Sequence, residues 1–183
     1  SFPTRRSSDL ELLDQSASNA VVVIQDIQAV RIAKALGVGG MFSGNVGGKS
    51  DDLHGPPVPL VGSIIFQQAV RYERRGDYMT GQQIDLGEVA VIQAGGVTVM
   101  LTEAKAMPFD ADHLGAAEIV AERQQIIVVK SAIAWQAHFR AFAKGEIYVD
   151  TPGVCASNLA RFNYGNLDRA IYPIDEDGIY PPK

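Results

Sequence analysis

The sequence predicts an α/β fold in which β-α-β units at both ends of the chain flank an antiparallel block of strands. Unbroken apolar runs at residues 20–24 and 125–129 are typical of strands that are covered on both faces. A helical pattern follows each run, and a crossover helix is the usual connection between two parallel strands. Between the two units, residues 58–102 carry strand patterns separated by short turns. Together these observations indicate a mixed α/β sheet.

The N-terminal unit begins with the strand at residues 20–24. Asp26 can cap the helix that follows, because its carboxylate can accept hydrogen bonds from the free amides of the first turn. Apolar residues recur at helical spacing from residue 27 to residue 33, and the glycine-rich stretch 37–40 ends the helix. Residues 41–46 then form a short strand, which completes the first β-α-β unit.

The middle block has the pattern of an antiparallel sheet or partial barrel. We predict strands over residues 58–66, 69–74, 88–93 and 97–102. Gly95 and Gly96 separate the last two strands, and two consecutive glycines supply the positive φ angles that a tight hairpin turn needs. A short helical or irregular link follows from Pro108 to Ile119.

The C-terminal unit is predicted as strand, helix, strand. After the run at residues 125–129, Trp135, Phe139 and Phe142 form one apolar stripe at helical spacing. Gly145 ends this helix, and residues 146–150 form the second strand. We expect Trp135 and Phe139 to be buried against the sheet, and the two ends of the chain to meet in one sheet.

Composition and charge argue against two classes of protein. The chain of 183 residues has a net charge of −5 and no long basic run, which disfavours nucleic-acid binding. No apolar run approaches the roughly 20 residues that a membrane span requires. A single cysteine, Cys155, excludes an internal disulfide and favours a reducing, cytoplasmic location.

The first ten residues do not resemble a natural protein segment. Residues 1–10 match one translated frame of a common sequencing-library adapter, and they have no secondary-structure period. We therefore interpret residues 1–10 as an adapter-derived tail and residues 11–183 as the domain proper. On this interpretation, sequence that naturally precedes Glu11 is missing.

Lys130 and Ser131 are the first candidates for a binding site. They follow the strand at residues 125–129, where α/β sheets usually bind their ligands. A lysine beside a helix N-terminus favours an anion or a carboxylate. The alternative is that Ser131 only caps the helix and Lys130 only reaches solvent.

Three further residues have weaker claims to a ligand. Lys49 follows two glycines, but the spacing of a phosphate-binding loop is not matched, so a glycine-rich turn is the alternative. His54 lies in an acidic loop and could contribute to a metal site. His138 lies beside the apolar stripe, where a histidine with one hydrogen bond at the edge of the core is the alternative. No histidines have metal-ligand spacing, so we predict neither a metal site nor a catalytic set in this chain.

These segments, taken together, resemble a known family. The similar stretches are 128–132, Trp135, Phe139-Arg140, 149–153, 26–30, 37–39, 47–49, 54–58, 86–87 and 169–175. In order and in spacing they resemble the C-terminal domain of the MlrC (microcystinase C) family, over residues 12–175.

The resemblance implies a function that this chain cannot carry alone. Members of the family resemble zinc-dependent peptidases or amide hydrolases that open microcystin-derived peptides, and their metal ligands belong to a separate N-terminal domain. That domain, and the Asp-Asn-Pro-Gly-Gly segment that usually opens the C-terminal one, have no counterpart here. The resemblance therefore implies a fragment that covers or shapes the active site of a zinc enzyme for peptide or small amide substrates and is inactive alone. The alternative is a non-catalytic small-anion-binding or assembly domain.

Overall fold

The computed structural model describes residues 12, 17–50, 55–131, 133–149 and 164–165. The elements are β1 (Ala20–Gln25), α1 (Ile27–Leu36), β2 (Met41–Val46), β3 (Val58–Glu73), β4 (Gln83–Ala94), β5 (Val97–Thr102), α2 (Ala111–Gly115), a 3-10 helix (Ala121–Arg123), β6 (Ile126–Ile127) and α3 (Gln136–Phe139). Our interpretations of residues 1–10, His54 and Asp150 fall outside the described residues.

The six strands form one mixed sheet in the order β2-β3-β4-β5-β1-β6. The pairs β2–β3, β3–β4 and β4–β5 are antiparallel, whereas β1 pairs in parallel with β5 on one side and with β6 on the other. This confirms the mixed α/β fold, the antiparallel middle block and the meeting of the two chain ends in one sheet.

The start of the chain follows the local signals in the sequence. β1 is almost wholly buried, because it lies between β5 and β6 and because other parts of the chain cover both faces of the sheet there. The side chain of Asp26 caps α1 by accepting a hydrogen bond from the amide of Ala29 at 3.1 Å. Gly37, with a φ of 74°, ends the helix in a conformation that favours glycine.

The position of β2 differs from the β-α-β arrangement that we expected. β2 has the predicted bounds but does not lie beside β1; it pairs with β3 at the opposite edge of the sheet. β5 occupies the place beside β1, over six paired residues. The amide of Gly39 donates to the carbonyl of Ile64 at 2.8 Å, so the turn after α1 directs β2 onto β3.

The middle block contains one long strand where two were predicted. β3 runs through residues 67–68 without a break, and register shifts near Ile65 and Val70 let it bend. Gly95 and Gly96 form the predicted two-residue turn between β4 and β5. The predicted helical link appears as α2, which Asp110 caps through the amide of His113 at 2.8 Å.

The sheet separates two hydrophobic clusters. On one face, α1 packs through Ala29, Val30 and Ala33 onto side chains from β1 to β5. On the other face, the chain between residues 106 and 142 covers β1, β4, β5 and the C-terminal half of β3. Phe139 is buried there, as predicted, whereas Trp135 is only half-buried and packs against the edge of this cluster.

The C-terminal unit is shorter than predicted. β6 has only two residues, α3 begins at Gln136, and residues 146–149 form no strand. Ile147 is 91% exposed. The apolar run at residues 125–129 was interpreted as a strand covered on both faces, but it lies at an edge of the sheet, where Ile126 is 40% exposed. At this edge, β1 is the one neighbouring strand among the described residues, and the run pairs with it at two residues.

Candidate functional site at the carboxyl edge of the sheet

Polar side chains gather where the parallel strands β1 and β5 end. We call this region the carboxyl edge and define it by Gln25, Asp26, Lys49, Glu103 and Lys130. Sequence reasoning placed Lys130 at this edge because ligands of α/β sheets usually bind there. The structure also places Lys49 at this edge, and the sequence did not predict that Lys49 lies beside Asp26.

Asp26 is the centre of the carboxyl edge. Its carboxylate is buried and accepts three hydrogen bonds: from the amide of Ala29 at 3.1 Å, from the amide of Gly47 at 2.9 Å and from the ammonium of Lys49 at 2.7 Å. Its own amide donates to the carbonyl of Thr102. Asp26 therefore joins the ends of β1, β2 and β5.

Lys49 is held in place by its partners. Besides Asp26, its ammonium donates to the carbonyl of Asn45 at 2.8 Å, and 26% of its side-chain surface is exposed. The pair with Asp26 neutralises both charges. The glycines before Lys49 adopt left-handed conformations, so the alternative interpretation of a glycine-rich turn describes this segment well. Anion binding by Lys49 stays a prediction.

Lys130 and Ser131 have different environments. The ammonium of Lys130 donates to the carbonyl of Val23 near the end of β1 at 2.8 Å. Ser131 is half-buried, and it does not cap a described helix, because α3 begins five residues later with Trp135 at its N-cap. The prediction of Ser131 as an N-cap is therefore wrong. The chain turns near residues 133–135 before it becomes helical. A ligand role for Lys130 and Ser131 stays a prediction.

Glu103 extends the carboxyl edge towards the surface. The carbonyl of Glu103 accepts from Gln25, and its carboxylate accepts from the amide of Glu88 at 3.0 Å. Glu88 in turn pairs with Lys34 on α1 and accepts from Gln67. Glu88 and Glu103 line two open surface hollows, and both carboxylates already have hydrogen-bond partners there.

Asp85 lies beside one of these hollows and is exposed. The amide of Gly87 donates to its carboxylate at 2.9 Å, and Arg71 donates to it at 2.8 Å. The hydrogen bond from Gly87, and then that from Arg71, lower the pKa of Asp85.

His138 lies away from the carboxyl edge. Its ring is half-buried and meets the rings of Phe139 and Phe142 edge to face. A Cβ built on Gly76 would lie 2.6 Å from its Nδ1, so the turn after β3 packs closely against it. This environment resembles the core-edge alternative, and a ligand role for His138 stays a prediction. His54 lies outside the described residues.

A second polar cluster was not predicted from the sequence. Arg74, at the end of β3, is buried and forms an ion pair with the buried carboxylate of Asp110. Its guanidinium also donates to the carbonyl of Met107 at 3.0 Å and lies 4.0 Å from the ring centre of Phe109. These contacts attach the segment before α2 to the end of β3. The one feature of the sequence that could have indicated part of this cluster is Asp110, which stands at the N-cap of α2.

His113 completes this buried cluster. Its Nδ1 lies 3.1 Å from the hydroxyl of Tyr72, and its buried Nε2 has no hydrogen-bond partner among the residues that the structure describes. Burial, and then the charge of Arg74, lower the pKa of His113 to about 4. Burial raises the pKa of Tyr72 to about 12. Both side chains are therefore neutral near pH 7, and the cluster contributes to the fold rather than to proton transfer.

The donor groups in the described part of the chain do not fit a catalytic zinc ion. Such an ion needs three protein ligands around an open position. Within the described residues, no group of three or more His, Cys, Asp or Glu side chains could hold a metal ion. The buried carboxylates of Asp26 and Asp110 are already paired with cations, so neither is available as a ligand.

The fold and the carboxyl edge define a mixed α/β domain in which the described polar residues join the ends of strands. Residues 10–166 match the family described as MlrC C-terminus. The chain therefore belongs to the MlrC C-terminal family.

Two relatives extend this comparison. The chain is 27% identical to Microcystinase C of Sphingomonas sp. over 152 residues, which are 83% of this chain and 28% of that protein. A crystal structure named "Putative metallopeptidase from Mesorhizobium sp. BNC1" has a TM-score of 0.80 and 27% identity, over 94% of this chain and 34% of that one. The chain thus spans about a third or less of the relatives that it matches.

No helix among the described residues is long and apolar enough to cross a membrane.

Proposed function

We propose that this chain is the C-terminal domain of a zinc metallopeptidase or amide hydrolase similar to Microcystinase C. In this proposal it covers or shapes an active site whose metal ligands lie in another domain. The observation that carries the proposal is the family match over residues 10–166, together with a likeness in fold to a chain three times as long.

The geometry of the carboxyl edge is consistent with a domain that positions a neighbouring active site rather than one that carries catalytic groups. Asp26 and Lys49 form an ion pair, and the carboxylate of Asp26 fixes the loop after β2 to the end of β1. Such a rigid edge suits a surface that positions a neighbouring active site, because catalytic groups need second-layer support to hold their geometry. Lys49, Lys130 and Ser131 are the residues that we expect to contact the neighbouring domain or its substrate.

Substrate and location belong to the same proposal. A peptide or a small amide is the substrate class that the likeness to Microcystinase C supports. The single cysteine of the chain supports a cytoplasmic location.

A chimera tests the proposal. In Microcystinase C, the segment that this chain matches is replaced by residues 11–183, and hydrolysis of a linear peptide is measured with zinc present. We expect the chimera to hydrolyse the peptide, and Microcystinase C without the segment to be inactive. A folded, zinc-loaded chimera without activity, or full activity without the segment, would contradict the proposal.

A further inference from the structure

One part of the sheet carries apolar side chains that point to solvent. The chain between residues 106 and 142 covers its second face over β1, β4 and β5, but the side chains of β2 and of the N-terminal half of β3 on that face are exposed. We call these side chains the bare face. They are Met41, Ser43, Asn45, Pro59, Val61 and Ser63, with the exposed Ile65 beside them at a register shift of β3.

The bare face is apolar at its centre. Met41 is 60% exposed, Val61 62% and Ile65 51%. Met41 pairs with Ser63 across the two strands, so Val61 is its diagonal neighbour on the same face. The exposed Ile65 lies next along β3, at the register shift between Ile64 and Phe66. Met41 and Val61 therefore form an apolar patch with Ile65 beside it, of the kind that marks an interaction surface on a folded domain.

The absence of charge strengthens this interpretation. Residues 41–48 and 58–70 contain no Asp, Glu, Lys or Arg. β2 is the last strand of the described sheet on its side. Exposed edge strands usually carry charges or proline that prevent association, and the centres of protein interfaces are depleted in charged residues. β2 has neither protection and resembles the centre of an interface.

We propose that the bare face is the surface on which the metal-binding domain of a full-length family protein docks. This inference rests on the proposed function, and it names the contact through which that function would operate. In the matched relatives, about two-thirds or more of the length lies outside the part that this chain covers. An interface between domains of one chain typically buries about 600–1,500 Å² and is more polar than an obligate dimer interface.

The composition of the bare face favours a neighbouring domain over a second copy of this chain. Ser43, Asn45 and Ser63 alternate with the apolar side chains, whereas permanent dimer interfaces are larger and more continuously apolar. The location agrees with the proposal as well. β2 leads through two glycines directly to Lys49, so a domain on the bare face would adjoin the carboxyl edge.

Cysteine labelling tests the docking surface. With Cys155→Ser as background, Val61→Cys places a thiol on the bare face and Asp77→Cys places one in the exposed turn at the far end of β3. Each variant is labelled with a thiol-reactive dye in the isolated chain and in the chimera with Microcystinase C. We expect labelling of Val61→Cys to be slower in the chimera on the order of tenfold or more, and labelling of Asp77→Cys to be equal in both.

Other outcomes identify another occupant. Equal labelling of Val61→Cys in both proteins would overturn the proposal. Protection in the isolated chain would also overturn it: protection that depends on concentration would indicate a second copy, and protection without such dependence would indicate another segment of this chain.

Failure of the docking proposal and failure of the proposed function can be told apart. A protected thiol in an inactive chimera would support the docking surface and contradict the proposed function. An exposed thiol in an active chimera would contradict the docking surface and support the proposed function. If the chimera does not fold, the same labelling is performed on this chain mixed with the separately expressed remainder of Microcystinase C.

Discussion

Gly48 occupies a position in the loop after β2 that no other residue fits. Its φ is +62°, and a Cβ built on it would lie 2.2 Å from the backbone nitrogen of Pro57. We expect Gly48→Ala to lower the free energy of unfolding by at least about 3 kcal/mol, because strain in φ adds to a clash with rigid backbone. Denaturation by urea measures this change.

Gly81 provides the matched control for Gly48. Its φ is +83°, and a Cβ there would meet nothing within 4 Å. Gly81→Ala should cost only the strain of the left-handed conformation, about 1 kcal/mol. Equal costs for the two variants would show that the contact between the loop and Pro57 does not constrain the fold.

The buried imidazole of His113 predicts a dependence of stability on pH. Its pKa is about 4 in the folded chain, against an ordinary value of 6.5. Between these values the unfolded chain binds a proton that the folded chain excludes, so stability is complete above pH 6.5 and is lost as the pH falls towards 4. The expected loss is about 3 kcal/mol, at about 1.4 kcal/mol for each pH unit.

His113→Gln removes the titrating group and keeps a polar side chain near Tyr72. Urea denaturation at several pH values should give a smaller slope for this variant between pH 6.5 and 4. Tyr72, Arg74, Asp110 and Asp112 lie in or beside the same cluster and are present in both proteins, so the difference in slope isolates the imidazole. Identical slopes would contradict a buried, neutral His113.

Local signals in the sequence predicted single residues well and distant contacts poorly. Asp26 was identified as a helix cap because the cap lies next to its helix. Its contact with Lys49 was not, because the two residues meet only once β2 is placed in the sheet. Arg74 precedes the β4–β5 hairpin in the sequence and Asp110 follows it, so no short spacing in the sequence indicates that they pair.

At the scale of elements, the segment around α3 depends on its aromatic side chains. β6 pairs with β1 at two residues only, and α3 has four residues, so backbone hydrogen bonds hold this segment weakly. Phe139 is 4% exposed and packs against the second cluster. Phe139→Ala should cost about 3–5 kcal/mol, a large part of the stability of an ordinary domain.

Thermal denaturation and a neighbouring control test this role of Phe139. Ile133 belongs to the same segment and is 73% exposed. Ile133→Ala should change stability by no more than about 0.5 kcal/mol. If Phe139→Ala melts like Ile133→Ala, the segment does not contribute to the core.

The helices and strands also show which features of the fold sequence patterns do not predict. β1, α1, β5 and the turn before β5 have strong local signals, and the sequence predicted them closely, whereas β4 begins at Gln83, well before the predicted start at residue 88. The run at residues 125–129 is rich in Ile and Val, as β1 is, but its edge position leaves it with one neighbouring strand among the described residues. Which strand becomes central depends on competition between strands for partners, and the composition of one run does not record that competition.

For the whole molecule, the proposed function makes one claim: this domain supports a metal site that another domain forms. The described residues supply no group that could hold a metal ion, and their buried carboxylates are paired with Lys49 and Arg74. The family match covers residues 10–166, whereas the relatives are about three times as long or longer. The claim therefore assigns the metal ligands to another domain.

Equilibrium dialysis of the isolated chain against zinc, followed by a peptidase assay on linear peptides, tests this claim most directly. A catalytic zinc ion requires three protein ligands on rigid elements. We expect no stoichiometric zinc binding and no hydrolysis. Tight binding of one zinc ion with turnover, both abolished by His54→Ala or His138→Ala, would contradict it and make this domain an enzyme on its own.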